Sequence, residues 1–308
     1  MRRARSAVLL GLAACVVTGL LIAQQSGDRI RVRVEAVNVL VTVNDEDSGR
    51  FIKNLARSDF EVLENGVLQT ITNFSQETNL PLTIALCVDT SSSVKVKLDF
   101  EKEAALDFLY TVMRPNDRAL LAEFDTGVTL LHDYTPNPND LAEEIKNLRA
   151  GGGTSLYDAV YLISEQKMLH ETGRRTMIIL SDGSDLTSSH TFDEALQMAQ
   201  KAEIAIYAVS TTRFGADIDH EGDNALKQLA EATGGRVFFP YSSTDFAKSF
   251  SAIEQELRSQ YNLAYIPTDK ARDGTFREIT VKVRRGGVTV RHRKGYYAPQ
   301  SPQATTRE

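Results

Sequence analysis

Leu82-Thr83-Ile84-Ala85-Leu86-Cys87-Val88-Asp89-Thr90-Ser91-Ser92-Ser93 decides the fold. Only Thr83 is polar among the first seven residues. So short and unbroken an apolar run is that of a strand covered on both faces, as in the middle of a parallel sheet. Polarity then changes at once, with a carboxylate and four hydroxyl residues where the strand must end. Thr176-Met177-Ile178-Ile179-Leu180 is a second such run, and it too ends on a carboxylate, in Ser181-Asp182-Gly183. Helical spacing is predicted over residues 98–113, where Phe100, Ala104, Leu106, Leu109 and Met113 form the apolar face and Arg114-Pro115-Asn116-Asp117 closes the helix. Further helices are predicted at 138–149, 156–171, 192–203, 223–233 and 244–260. They alternate with strands at 119–124, 128–131, 204–209 and 237–239, the first two forming a hairpin across Asp125-Thr126-Gly127. The expectation for residues 80–260 is an α/β, Rossmann-like, doubly wound and mostly parallel sheet with right-handed crossovers.

Outside this unit the pattern has period two. Ile30, Val32 and Val34 lie on one parity and Val37, Val39, Val41 and Val43 on the other, so a bulge or strand break is expected near Glu35-Ala36. Glu64-Asn65-Gly66, between Phe60-Glu61-Val62 and Val67-Leu68-Gln69, is a two-residue hairpin signal. Beyond 261, Tyr261, Leu263 and Tyr265 alternate, then Ile279, Val281 and Val283, then Val288 and Val290 after Arg285-Gly286-Gly287. Segments 28–78 and 261–298 are each too small to bury a core. They are expected to pair with each other in one small β-sandwich, with the α/β unit inserted and residues 299–308 as a tail.

The chain has 308 residues, 42% hydrophobic and 25% charged, which is globular rather than disordered composition. Aromatic content is 7% without tryptophan, thin for stacking on sugars or bases, and a net charge of −6 opposes a general grip on nucleic acid or anionic lipid. Two cysteines, Cys15 and Cys87, allow neither a disulfide framework nor a zinc cysteine cluster. Arg2, Arg3 and Arg5 precede an apolar run over 7–23, so residues 1–23 read as an export signal. An uncleaved anchor is the alternative for this 17-residue run, and a lipoprotein signal at Cys15 a third reading. Loss of the three arginines would take the net charge to −9. An exported chain without disulfides points to the periplasm, the cell envelope or the medium of a bacterium, with membrane contact only through an N-terminal anchor.

In open α/β sheets, ligands sit beyond the carboxyl ends of the strands. Three polar groups fall there: Asp89-Thr90-Ser91-Ser92-Ser93, Gly153-Thr154-Ser155 at a helix start, and Asp182. Each alone reads as a helix cap or a turn. Together, hydroxyl and carboxylate oxygens make a hard donor set for Mg²⁺ or Mn²⁺, with Ca²⁺ weaker. The side chains of Asp89, Ser91 and Ser93 can converge from one side of an extended loop. Because these loops lie beyond the core, their substitution is expected to cost little stability.

Asp-x-Ser-x-Ser at 89–93, Thr154 in Gly-Gly-Thr-Ser-Leu-Tyr-Asp-Ala and Asp182 in Leu-Ser-Asp-Gly resemble the von Willebrand factor type A domain and its metal-ion-dependent adhesion site. The resemblance implies direct metal contacts from Ser91, Ser93 and Thr154. It implies contacts from Asp89 and Asp182 directly or through water, and a partner's Asp or Glu completing the octahedron. Val41-Thr42-Val43, Asp59-Phe60-Glu61-Val62, Glu64-Asn65-Gly66 and Arg293-Lys294-Gly295-Tyr296-Tyr297 are similar to an exported, largely acidobacterial, von Willebrand factor A-related family.

The chain has no Gly-x-Ser-x-Gly elbow, phosphate loop or Gly-x-Gly-x-x-Gly, and His170-Glu171 lacks a second histidine. The enzyme alternative is a metal-dependent phosphatase or hydrolase with Asp89 as nucleophile and Asp125, Asp158 or Asp185 nearby. A structural envelope protein with a vestigial metal site is the other alternative. The expected function is a non-enzymatic module that binds an acidic group of a protein partner through Mg²⁺. Lys282, Arg284, Arg285, Arg291, Arg293 and Lys294 are expected to form a solvated strand face.

Overall fold

The structure, a computed structural model, describes residues 36–76, 80–212 and 220–300. The readings of the export segment, the strand at 30–34 and the bulge near Glu35 lie outside these residues, as does most of the tail. Four strands come first: β1 (Val37–Asp45), β2 (Phe60–Glu64), β3 (Val67–Gln69) and β4 (Ile71–Gln76). The alternating part follows as β5 (Leu82–Asp89), α1 (Leu98–Val112), β6 (Arg118–Phe124), β7 (Val128–Thr135), α2 (Pro138–Asn147) and α3 (Leu156–Ile163). It continues as β8 (Arg174–Ser181), α4 (Phe192–Lys201), β9 (Ala205–Ser210), α5 (His220–Thr233), β10 (Val237–Phe238) and α6 (Ser243–Leu257). The last strands are β11 (Tyr261–Tyr265), β12 (Phe276–Val283), β13 (Val288–Arg291) and β14 (Gly295–Tyr297). Among the described residues no helix is long and apolar enough to cross a membrane.

The central sheet runs β10-β9-β8-β5-β6-β7, parallel throughout except for β7. Every residue of β5 is buried, because its two parities serve two cores. Leu82, Ile84, Leu86 and Val88 pack with α1, α2 and α6 on one face. Ala85 and Cys87 pack with α3, α4 and α5 on the other. Each such aliphatic side chain taken from water stabilises the fold by about 1.5–3 kcal/mol. Burial pushes the Cys87 thiol up to about 12, so it packs as a small apolar group.

The flanking segments form two four-stranded antiparallel sheets, β13-β1-β11-β4 and β14-β12-β2-β3. Each takes strands from both ends of the chain. β1 pairs with β11 from Val37↔Tyr265 to Val41↔Tyr261, and β2 pairs with β12 from Phe60↔Val283 to Glu64↔Ile279. Between the sheets lies one core that includes Val39, Val41, Val62, Leu263 and Ile279. The two segments therefore share both sheets, as the expected sandwich requires. Beyond the turn at 284–287, β13 leaves β12 and joins β1. Asn65 and Gly66 both have positive φ, 47° and 79°, as their two-residue hairpin requires.

Buried polar ties organise both parts. Glu64 accepts hydrogen bonds from the hydroxyls of Tyr265 (2.8 Å) and Tyr296 (2.9 Å) and pairs with Arg277 at 3.3 Å. Glu256 on α6 accepts from the Tyr207 hydroxyl (3.1 Å) and from Thr42 Oγ1 (3.4 Å), and it also pairs with Arg291. The basic C-terminal strands are therefore not simply solvated: Arg284 pairs with Glu61, Arg291 with Glu256 and Arg293 with Glu203.

The inner face of α1 differs from the predicted one. Leu98, Glu101, Ala104, Ala105, Phe108, Leu109 and Val112 are buried, whereas Phe100, Leu106 and Met113 pack only at the edge. A charged residue thus occupies a core position one turn into the helix.

Candidate metal-binding site

β5 and β8 are adjacent and parallel, so their carboxyl ends deliver Asp89 and Asp182 to the same edge of the sheet. Asp89 is fully buried. Its Oδ1 accepts from the Ser91 amide (2.8 Å) and its Oδ2 from Ser181 Oγ (2.6 Å). Burial raises the Asp89 carboxyl to about 6 against these two hydrogen bonds, and the charge of Asp182 adds to the rise. Ser181 Oγ also receives the Gly183 amide (2.9 Å), which ties the two strand ends together. Asp182 Oδ1 accepts from the Ser184 amide at 3.1 Å.

The Ser91 and Ser93 hydroxyls come together by a different route from the extended loop expected of them. Residues Ser92–Val94 form a 3-10 turn rather than an extended loop, and that turn brings Ser91 Oγ and Ser93 Oγ to 2.9 Å. Thr154 reaches the same edge on the loop that opens α3. Its carbonyl accepts the amides of Leu186 (2.8 Å) and Thr187 (3.0 Å), beyond Asp182. Gly151 N donates to Thr90 O (2.7 Å) and Ser92 Oγ to Gly152 O (2.9 Å), so the 89–93 and 151–155 loops are laced together. Thr126 completes the lacing: its Oγ1 accepts the Gly153 amide and its carbonyl accepts Ser155 Oγ, both at 2.9 Å. Gly152 has φ +79° and lies against Thr126, where a Cβ would stand 2.7 Å from Oγ1.

The site is therefore part of the packed interior. Asp89, Thr90, Ser91, Thr154 and Ser155 are buried, Asp182 is 8% exposed, and Ser93 alone of the five predicted ligands faces solvent. The expectation that these residues lie outside the core, where changes cost little, does not hold for Asp89.

The additional acids weighed for an enzyme are occupied elsewhere. Asp158 accepts the Ser189 and His190 amides and the His190 ring, Asp185 accepts the Tyr157 amide and Ser188 Oγ, and Asp125 accepts the Gly127 amide. They shape the 184–191 and 125–127 loops around the site. Among the described residues, no group of three or more His, Cys, Asp or Glu side chains is gathered as if to hold a metal. The donor set remains two carboxylates and three hydroxyls, a hard oxygen set.

Sequence reasoning missed two contributors, Ser181 and Gly222. Ser181 is the last residue of an otherwise apolar strand, a place where a hydroxyl needs a polar partner. Gly222, in the first turn of α5, touches the Asp182-Gly183 turn so closely that a Cβ there would stand 2.4 Å from Asp182 O. A cavity of about 380 Å³ opens at the opposite edge of the sheet, lined in part by Asn38, Arg175, Glu203 and Arg293. Its charges satisfy one another, with Glu203 held by Arg175 (2.7 Å) and Arg293 (3.1 Å).

A family profile described as von Willebrand factor type A domain matches residues 84–184. Mouse integrin alpha-X is 25% identical over 191 residues, which are 58% of this chain and 16% of the integrin. A von Willebrand factor type A structure from Catenulispora acidiphila superposes with a TM-score of 0.52 at 13% identity, covering 80% of this chain and 74% of that one. A structure of proximal thread matrix protein 1 from the mussel byssus, described as having a zinc-occupied MIDAS motif, gives 0.51 at 16% identity, covering 63% and 49%. The sheet order and the profile match agree for the α/β part of the chain: residues 84–184 match the von Willebrand factor type A domain.

Proposed function

We propose that this chain is a non-enzymatic binding module that holds Mg²⁺ on Asp89, Ser91, Ser93, Thr154 and Asp182 and through it engages an acidic group of a protein partner. The 2.9 Å separation of the Ser91 and Ser93 hydroxyls carries the reading. The two hydroxyls hydrogen-bond to each other at that distance, and two neighbouring ligands of an octahedral Mg²⁺, each at about 2.0–2.1 Å, would stand about 2.9 Å apart as well. Three neutral hydroxyls against two carboxylates would leave a bound ion electrophilic, with a coordination position for an outside carboxylate.

The chain's own residues do the rest. Ser181 and the Ser91 amide fix the Asp89 carboxylate from below. The Thr154 carbonyl holds the 186–187 segment beside the site, so the 125–127 and 184–191 loops select the partner by shape. Catalysis is not part of the reading, because Asp125, Asp158 and Asp185, the further acids an enzyme would draw on, are spent on loop amides. A basic, apolar N-terminal segment over 1–23 supports export to a bacterial envelope or beyond, as signal or anchor.

The test is calorimetry with Mg²⁺, followed by capture of envelope proteins with and without EDTA. Binding that Thr154→Ala and Asp182→Ala abolish, with EDTA-sensitive capture, is the expected result. Metal-dependent turnover of a phosphate or ester by the purified chain, lost in Asp89→Asn, would instead establish the hydrolase reading.

A further inference from the structure

α5 is tied to β9 by a polar clamp at each end. Far from the strand-end loops, Thr233 Oγ1 accepts the Ile206 amide at 3.0 Å. Near them, Asp223 is buried in the first turn of α5. Its Oδ1 accepts hydrogen bonds from Ser210 Oγ (2.6 Å) and Thr212 Oγ1 (3.0 Å). Ser210 is the last residue of β9 and stands beside Ser181 in the parallel ladder. The Thr211 amide extends that pairing by donating to Ser181 O at 3.0 Å, and Ser181 Oγ donates to Asp89 Oδ2 at 2.6 Å. The residue before Asp223 is Gly222, whose backbone is pressed on the Asp182-Gly183-Ser184 turn. A Cβ on Gly183 would stand 2.2 Å from Gly222 O, and one on Gly222 would stand 2.4 Å from Asp182 O. Packing this close makes the helix start and the Asp182 turn move together. Loss of the Asp223 carboxylate would leave two buried hydroxyls without their acceptor and free the first turn of α5 to shift.

We infer that Asp223 is a positioning residue of the cation site: by locking the first turn of α5 to the end of β9, it holds Gly222 against the Asp182 turn and so fixes the Asp182 carboxylate relative to Asp89, Ser91 and Ser93. This role rests on the metal-binding reading above. Asp223 touches no ion and acts only through the backbone that Gly222 presents to Asp182. Residues that orient direct ligands commonly alter metal affinity by about 10–100-fold.

The experiment measures Tm without metal and Mg²⁺ affinity by calorimetry for the full chain, Asp223→Ala, Asp223→Asn and Thr233→Val. Thr233→Val removes the clamp at the other end of the same helix and strand, so it controls for general loosening. Asp223→Ala and Thr233→Val should both lower Tm, but only Asp223→Ala should weaken Mg²⁺, by about tenfold or more. Asp223→Asn keeps Oδ1 as an acceptor for both hydroxyls and should restore affinity toward that of the unmodified chain. Equal losses of affinity in Asp223→Ala and Thr233→Val, or no loss in either, would overturn the inference while the metal site stands. A loss in Asp223→Asn as large as in Asp223→Ala would assign the effect to charge rather than position and overturn it too. If Asp223→Ala does not fold, Ser210→Ala removes one of the two donors instead, and unchanged Mg²⁺ affinity there overturns the inference equally. Absence of Mg²⁺ binding in the unmodified chain would overturn both readings.

Discussion

Gly222→Ala should damage a site to which residue 222 contributes no ligand. In a helix this change ordinarily gains up to about 1 kcal/mol. Here the new Cβ would stand 2.4 Å from Asp182 O, 2.8 Å from the Gly183 carbonyl carbon and 2.9 Å from the Ser184 amide nitrogen. All three are backbone atoms, and ordinary contact lies near 3.5 Å, so either α5 or the Asp182 turn must give by about 1 Å. Overpacking of this kind costs about 1–3 kcal/mol, which outweighs the helical gain. The net expectation is a loss of about 1–2 kcal/mol, or roughly 3–6 °C in Tm. Site geometry tolerates only about 0.5 Å of error, so Mg²⁺ affinity should fall about tenfold as Asp182 moves. Gly127→Ala is the control: its loop borders the same site, but no atom lies within 4 Å of the added Cβ. Thermal unfolding and calorimetry on the two variants decide the matter. A Gly222→Ala protein with unaltered Tm and unaltered affinity would refute the steric argument.

Other expectations follow from the buried polar groups. Asp117→Ala should cost about 3–5 kcal/mol in urea unfolding, because it strands the buried Arg258 and the amides of Leu82 and Arg114, while Asp117→Asn should cost less. His292 is held below its ordinary 6.5 by burial, with the Arg293 carbonyl opposing and Lys294 reinforcing the shift. Its neutral ring accepts the Val281 amide on Nε2, so the unfolded chain takes the proton first. Stability is therefore full above about pH 6.5 and falls as pH drops below it, a slope that unfolding at pH 7.5 and 5.5 should show and His292→Gln should reduce. Residues 80–260 alone should fold cooperatively once Glu256→Gln removes the charge that Arg291 and Thr42 otherwise satisfy. A molten product by near-ultraviolet circular dichroism would count against that unit's independence.

The sheet was legible because β5 and β8 are apolar on both parities, a pattern that only double coverage explains. Asp89, Ser91, Ser93 and Asp182 stood out as candidates because hydroxyls and carboxylates follow immediately where those strands end. The depth of the site was not legible. Nothing in Asp-Thr-Ser-Ser-Ser states that Asp89 is enclosed, since the covering atoms come from Ser181 and from loops at 125–127 and 151–155. Glu101 was hidden by its charge: counting every 3–4 residues from Leu98 reaches 101, 105, 108 and 112, yet a glutamate at such a position reads as a break in the stripe. The two-sheet sandwich was half visible. Alternation identified strands but not which sheet each joins, because the exchange of β13 from β12 to β1 depends on the turn at 284–287 and not on side-chain parity.

The insertion has a mechanical meaning. The chain passes between the sandwich and the α/β unit twice: Leu80 and Pro81 lead into β5, and residues 258–260 leave α6 for β11. The second lies at the amino-terminal edge of the sheet, where Arg174 at the start of β8 binds Leu257 O and Gln260. The first enters directly at the start of β5, which pairs Leu82 with Arg174. The loops of the proposed metal site are at the other ends of those strands, roughly 25 Å away for eight residues. Tension between a captured partner and the sandwich would run along β5 and β8. Their ladder would be loaded lengthwise, with many hydrogen bonds resisting together rather than opening one at a time. A chain stretched between its metal site and its sandwich is expected to yield at higher force than one pulled across the sheet from β7 to β10, a difference that single-molecule force measurements with two attachment geometries can read.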